Sequence, residues 1–378
     1  MEEERKVTPA MRLGTYPVCA LILLLTVLFM LLPKEDFSQT ENRKLARMPE
    51  FSVKSLTQGR FTEGLGRYAA DHFPMREGFL GLMTEAERLT GRRLIEGVYL
   101  ARDGYMIESY DGGDGAMRQA GQFEKLSRNL ENADCSLMLV PTAVTVYSDA
   151  LPENAPEERY QQDVIDGIYA NLEGSVNCLD VSSALRAGGD GLFYRTDHHW
   201  TCRGAYEGYR VWCEAKGLER QELSEFEEKA VSTDFRGTVW SKLCDPAIPG
   251  EEMRAYMQPG QTLTVTYEDT GEVSDSLYNP EYLDKKDKYS YFLNNIHPLV
   301  TIENPDAPEG ELAVVKDSYA NSLIPFLTGH YRRIYVFDTR YYKGGPSKFI
   351  NSHPEIKDVL LVYNMNTIDE DTGIGGIY

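Results

Sequence analysis

The densest group of reactive side chains in the chain is Tyr194-Arg195-Thr196-Asp197-His198-His199-Trp200-Thr201. Every residue from Arg195 to His199 except Thr196 is ionisable, and two of the chain's 6 histidines stand side by side here. In an extended segment alternate side chains share a face, which predicts Asp197 and His199 together and His198 turned away. A carboxylate beside an imidazole orients the ring, fixes its tautomer and stabilises the imidazolium formed when it takes a proton. That is the equipment of a general base. Asp197, His198 and His199 could also bind a metal, although adjacent strand histidines diverge and no His-x-Glu or Glu-x-x-His pair lies nearby. A polar cluster that only stabilises a strand–helix junction is the third reading.

A base of this kind serves a nucleophile. Glu311 to Val315 is predicted as a strand, Lys316-Asp317-Ser318 as a sharp turn, and Tyr319 to Ile324 as the opening of a helix. A serine at such a turn lies at the carboxyl edge of a sheet, where the sites of α/β folds collect. Its N–H joins a helix N-terminus, which favours a developing oxyanion. The same position also suits a plain helix N-cap. Thr201 is predicted to cap the helix that follows the histidine pair.

The elements that must position these groups alternate. Gly97 to Ile107 reads as a β-hairpin with its turn at Ala101 to Gly104. Helices are predicted at Met117–Asn132, Pro156–Leu172, Thr201–Lys216 and Ser318 to about Leu327, the last interrupted by Pro325. Strands are predicted at Ser136–Val140, Val176–Val181, Leu312–Val315, Ile334–Phe337 and Val359–Tyr363. Short apolar strands between helices imply an α/β fold, a mostly parallel sheet covered on both faces in three α/β/α layers. The stretch 224–304, rich in Tyr, Asp and Gly, breaks the rhythm and reads as an insertion with β-structure. Asp338-Thr339-Arg340 is expected as a surface ion pair and Asp369-Glu370-Asp371 as a solvated tail.

The chain's 378 residues are 26% charged and 42% hydrophobic, which is ordinary globular composition. With 59 Asp+Glu against 39 Lys+Arg the formal net charge is -20, which disfavours nucleic acid as a partner. The 24 tyrosines suit either an aromatic core or a surface that handles glycan. The 6 cysteines are scattered without Cys-x-x-Cys spacing, so neither a zinc site nor a disulfide framework is indicated. Near the N-terminus, the apolar run Tyr16 to Leu32 spans about 26 Å as a helix, near the lower limit for a membrane span. Arg5, Lys6 and Arg12 precede it, and no small-residue cleavage pattern ends it. The expectation is a cytoplasmic tail (1–15), an uncleaved signal-anchor (16–33), a membrane-proximal helical segment (34–95) and an extracellular domain (96–378). Within the proximal segment Phe61–His72 and Arg76–Thr90 are predicted as helices.

The segment Asp197-His198-His199-Trp200 resembles the signature of the DHHW proteins, relatives of the alginate O-acetyltransferases in a permuted branch of the SGNH (GDSL-like) hydrolase superfamily. Phe73-Pro74-Met75-Arg76, Gly97-Val98-Tyr99, Val140-Pro141-Thr142, Phe235-Arg236-Gly237-Thr238 and Val315-Lys316-Asp317-Ser318-Tyr319 follow the order of that family, so the likeness covers nearly everything after the apolar run. One position departs: Lys316 stands where the acetyltransferases have a small residue. The resemblance implies an SGNH-like domain with Ser318 as nucleophile, His199 as base and Asp197 as its orienting carboxylate. Asn321, Gly237 and Asn364 are then oxyanion candidates, and Tyr319 and Trp200 candidates for substrate contact. It implies acyl transfer through an acyl-serine, most simply O-acetylation of a secreted or cell-wall polysaccharide, with no cofactor and no metal. A glycan acceptor and a membrane-bound O-acyltransferase that supplies acyl groups are the implied partners. A carbohydrate esterase with the same three residues and a non-catalytic glycan-binding module remain the alternatives.

Overall fold

The computed structural model describes residues 9–41, 43–155 and 159–377; Arg5, Lys6 and the expected helix start at Pro156 lie outside them. The chain divides into two compact units, Met1–Ala86 and Glu87–Tyr378.

The first unit opens with a helix, Pro9–Leu31, whose apolar side chains from Tyr16 onward are largely exposed. Among the described residues no helix is long and apolar enough to cross a membrane. The expected anchor is therefore unsupported. Two further helices, Val53–Thr57 and Arg60–Asp71, follow, and a third begins at Arg76. Arg43 binds the Asp71 carboxylate at 2.6 Å and Arg76 binds Glu41 at 2.8 Å, tying the polar stretch after the first helix to those that follow.

In the second unit eight strands form one sheet. They are β1 (Asp134–Val140), β2 (Asn177–Cys178), β3 (Thr264–Tyr267), β4 (Glu272–Ser274), β5 (Leu299–Glu303), β6 (Glu311–Lys316), β7 (Arg333–Asp338) and β8 (Ile356–Asn364). Their order across the sheet is β4-β3-β5-β7-β6-β8-β1-β2. From β7 to β2 every pairing is parallel, and β5, β3 and β4 add an antiparallel edge. Parallel strands buried on both faces read as unbroken apolar runs, which is how Leu312–Val315 and Val359–Tyr363 read. Leu312, Val314, Leu360 and Val362 pack with Trp200, Tyr209 and Phe326 on one face. Ala313, Val315, Leu361 and Tyr363 pack with Phe123, Ile165 and Ile368 on the other. The helix Cys202–Lys216 covers the first face, and Asp114–Asn129 with Arg159–Leu172 covers the second. The fold is thus mixed α/β around a large, mostly parallel sheet.

Several expectations change. The stretch 224–304 extends the main sheet through β3, β4 and β5, and adds the hairpin Glu227–Phe235 with Glu251–Met257. The strand expected over Val176–Val181 shrinks to β2, because the Asp180 carboxylate accepts from the Ser183 N–H at 3.1 Å and starts a helix, Val181–Ala187. The helix expected from Ser318 splits into a 3-10 turn, Ser318–Ser322, and a short helix, Ile324–Leu327. Pro325 has no N–H with which to continue a ladder but fits the first turn of the second piece. The acidic run is no solvated tail. Asp369 accepts from Tyr110 Oη at 2.6 Å and from the N–H groups of Gly113 and Ala116, satisfying the start of the helix Asp114–Asn129.

Asp369→Ala should therefore lower the unfolding free energy by about 2 kcal/mol, since it strips charged hydrogen bonds from a helix terminus. Glu370→Ala next to it, exposed to solvent, should change it by less than about 0.5 kcal/mol. Urea unfolding of the two variants checks the difference.

Candidate active site

Residues 194–199 are not an extended strand. They form a succession of bends pinched at the base by an isolated bridge between Phe193 and Trp200. Thr201 Oγ1 accepts from the Gly204 N–H and caps the helix behind, as expected. Glu251, from the hairpin strand Glu251–Met257, accepts from the N–H groups of Arg195 (2.9 Å) and Thr196 (2.7 Å) and from Thr196 Oγ1 (2.6 Å). One carboxylate thus replaces the sheet partners that this irregular backbone lacks. The bends also change the expected orientation of His198: its ring lies against that of His199, with centroids 3.9 Å apart.

Asp197 and His199 do meet, and both are buried. Asp197 Oδ1 accepts from His199 Nδ1 at 2.5 Å and from the His199 backbone N–H at 3.0 Å. Its Oδ2 accepts from the Thr238 N–H at 2.8 Å and from Thr238 Oγ1 at 3.2 Å. With Nδ1 donating, the second ring nitrogen is an acceptor, and Ser318 Oγ lies 2.8 Å from it. Serine, imidazole and carboxylate form one unbroken chain of hydrogen bonds. Burial alone would raise the Asp197 pKa, but the two imidazoles and the Thr238 N–H outweigh it and hold the group well below the usual carboxylate range. For His199 burial dominates, the neighbouring His198 adds to it, and together they outweigh the pull of Asp197. Its pKa falls below the ordinary imidazole value, so the ring is neutral near pH 7 and able to accept a proton.

The turn that carries Ser318 follows β6, between β7 and β8 at the carboxyl edge of the sheet. Asp317, not Ser318, is the cap: its Oδ1 accepts from the Tyr319 N–H at 2.8 Å. Its Oδ2 accepts from the backbone and side-chain nitrogens of Asn364 at 2.7 and 2.6 Å, which straps the turn to the end of β8. Ser318, not needed as the cap, keeps its hydroxyl for His199 and has an N–H with no acceptor inside its own helical turn. Trp200 Nε1 donates to the Tyr319 carbonyl at 2.8 Å, and Tyr319 Oη donates to the His198 carbonyl. These two bonds lock the histidine loop to the serine turn.

The remaining sequence candidates divide. Asn364 is spent on Asp317 and on capping its own helix, so it has no donor left for substrate. Gly237 donates its N–H to Thr196 Oγ1 at 3.3 Å; its importance is steric, because a Cβ there would stand 2.1 Å from Asp197 Oδ2. Trp200 and Tyr319 are fully buried and serve the lock. Asn321 is buried three residues on from Ser318, one turn of the 3-10 helix, and its Oδ1 accepts from Lys316 Nζ at 2.7 Å. Lys316 is itself buried, with Asp338 Oδ2 at 3.6 Å. Asp338 is not at the surface as expected but wholly buried, held bidentately by Arg340 at 2.8 and 2.6 Å. Two residues escaped sequence reasoning: Glu251, and Tyr289, whose ring stacks on His199 at 3.6 Å between centroids and 9° between planes. Both come from the stretch 224–304, where neither motif nor periodicity marks them.

Asp197, His198 and His199 also bring three metal-capable atoms within 4.8 Å of one another. A cation there would have to displace the His199 Nδ1 proton that Asp197 accepts and compete with the Thr238 donors, so the set is better matched to holding a proton than a metal.

Two outcomes test this geometry. Reaction of the full chain with a sulfonyl fluoride should need neutral His199, so the rate is present above its pKa and lost as pH falls through it. Because that pKa is lowered, the midpoint should lie below about 6.5; a midpoint above it would mean a ring open to water. Gly237→Ala, by driving a methyl group into Asp197, should slow the reaction by about 100-fold at pH 7.

The DHHW protein family matches this chain over residues 125–337. Among solved structures, a DHHW family protein from Eubacterium siraeum is 27% identical with a TM-score of 0.65, covering 74% of this chain and 95% of that one. PatB1 of Bacillus cereus, determined with a sulfonyl adduct, shares the fold at 20% identity and a TM-score of 0.61, covering 74% and 98%. The O-acetyltransferase domain of Pseudomonas putida AlgJ gives 17% identity and a TM-score of 0.43 over 73% and 93%. No protein with a curated description matches. With more than half its length matched, including the histidine loop and the serine turn, this chain belongs to the DHHW protein family.

Proposed function

We propose that the chain is an extracytoplasmic O-acyltransferase that moves an acyl group, most simply acetyl, onto a hydroxyl of a secreted or cell-wall polysaccharide. The observation that carries the reading is the contact of Ser318 Oγ with an imidazole that a buried carboxylate steadies. In the first half-reaction His199 takes the Ser318 proton as Oγ attacks the carbonyl carbon of the donor ester. The tetrahedral intermediate collapses to acyl-Ser318, and the leaving alcohol departs with the proton from His199. In the second half an acceptor hydroxyl gives its proton to His199, attacks the acyl-serine and leaves as the new ester, while Ser318 regains its proton. The oxyanion would be met by the Ser318 N–H, aided by the helical turn behind it. Asn321 is the second donor in this scheme. Lysine can only donate, so Lys316 must face the amide oxygen of Asn321, leaving the amide nitrogen as the end free to donate.

The SGNH-like character of the domain, its place outside the cytoplasm and a membrane-bound O-acyltransferase as donor belong to the same proposal. They rest on the family resemblance and on the charged residues before the N-terminal apolar run. Transfer wins over hydrolysis to the extent that the acceptor excludes water from the acyl-serine.

Two measurements test the reading. A sulfonyl fluoride should modify the full chain once, and Ser318→Ala should abolish that modification; undiminished labelling of the variant would remove Ser318 from the chemistry. Incubated with an activated acetyl ester and a panel of neutral and acidic polysaccharides, the protein should leave alkali-labile acetyl groups on at least one. Free acetate as the sole product at saturating acceptor would replace transferase by esterase, and an unreactive wild-type protein would leave only a binding module.

A further inference from the structure

The two hydrogen bonds on His199 fix the ring's long axis, since Nδ1 is held by Asp197 and the second nitrogen meets Ser318. They do little against tilt about that axis. What meets the faces of the ring is therefore informative. Tyr289 lies 3.6 Å away and within 9° of parallel, and His198 lies 3.9 Å away at 35°. Two rings cannot occupy one face at such distances, so they lie on opposite faces and enclose the imidazole between them. Tyr289 is itself held to the nucleophile's turn: its hydroxyl lies 3.3 Å from the Ser318 carbonyl oxygen and 3.2 Å from Ser322 Oγ. Tyr194 and Phe292 pack against the ring.

We propose that Tyr289 is a positioning residue for the Ser318–His199 pair, its ring clamping the imidazole against His198. The proposal rests on reading Ser318 and His199 as nucleophile and base. Tyr289 carries none of the reacting atoms; it acts by keeping the second imidazole nitrogen in line with Ser318 Oγ, where a small misplacement is costly. A stacked pair of this geometry is also a favourable contact in its own right. The role explains why a tyrosine from the stretch 224–304 is buried against the His199 imidazole.

The test uses Tyr289→Phe, Tyr289→Met and His198→Ala in the full chain, with two readouts. One is the rate of sulfonyl fluoride labelling at pH 7.5; the other is the low-field proton resonance of the short His199 Nδ1–H bond to Asp197. Phenylalanine keeps the ring, so labelling should stay within about threefold of wild type and the resonance should persist. Methionine keeps the volume without the flat face, so labelling should fall by about 30-fold or more, and the resonance should broaden away while circular dichroism is unchanged. A folded methionine variant that labels at the wild-type rate would overturn the proposal, as would a phenylalanine variant that falls equally far. If the methionine variant does not fold, His198→Ala opens the other face from a half-exposed position and should cost about tenfold; no change there would overturn the clamp. If even the wild-type protein resists labelling, the nucleophile reading fails on its own. The resonance then decides the clamp, lost with methionine if the clamp exists and retained if it does not.

Discussion

The Asp197 carboxylate, buried and saturated with donors, is the constraint on which the rest of the site depends. A charge taken out of water is tolerated only where hydrogen bonds replace hydration, and here four of them do so. Two come from His199 and two from Thr238. The arrangement fixes which imidazole nitrogen carries the proton, and so leaves the other to face Ser318. It also dictates sequence some distance away. Gly237 must lack a side chain because the carboxylate fills its Cβ position, and Thr238 must present both its N–H and its hydroxyl. The Glu251 carboxylate accepts from the backbone N–H groups for which the bent loop has no partner strand.

Bringing a serine 119 residues further along to this imidazole is the work of the sheet. β6 lies between β7 and β8, so the turn after it emerges at a central position on the carboxyl edge. Below that turn the chain buries Lys316, Asp317 and Asp338, and Arg340 closes over Asp338 from a partly exposed position, so two positive and two negative side chains meet. Burial lowers the Lys316 pKa against the pull of Asp338, and raises that of Asp317, whose direct partners are the N–H of Tyr319 and the two nitrogens of Asn364. Such a cluster is held by geometry and strongly penalised when one member is lost. Lys316 is thus structural: the lysine stands beside Asp338 and orients Asn321.

Much of this was legible beforehand, for identifiable reasons. Asp-x-His spacing and a serine after an apolar strand are local patterns, and the parallel strands announce themselves as unbroken apolar runs. Boundaries failed where a side chain overrode periodicity, as with Asp180 starting a helix inside an expected strand; the break near Pro325 was legible. Side-chain roles failed where tertiary partners decide them. Asp338 and Asp369 look like surface acids in sequence: the Asp338–Arg340 pair is local, but nothing local reveals that Asp338 is buried beside Lys316 or that a helix terminus lies beneath Asp369. Tyr289 and Glu251 were invisible for the same reason. Each acts through one contact made by folding, in a stretch whose tyrosines and acids are too numerous to single one out.

The central claim is that a neutral His199, protonated at Nδ1 by its bond to Asp197, offers its other nitrogen to Ser318. Nitrogen-15 NMR of histidine-labelled protein at pH 7.5 reads this directly. The account predicts one ring with an amine-like Nδ1 and a pyridine-like second nitrogen, assigned to His199 by its disappearance in His199→Gln. A doubly protonated ring, or one carrying its proton on the nitrogen that faces Ser318, would contradict it.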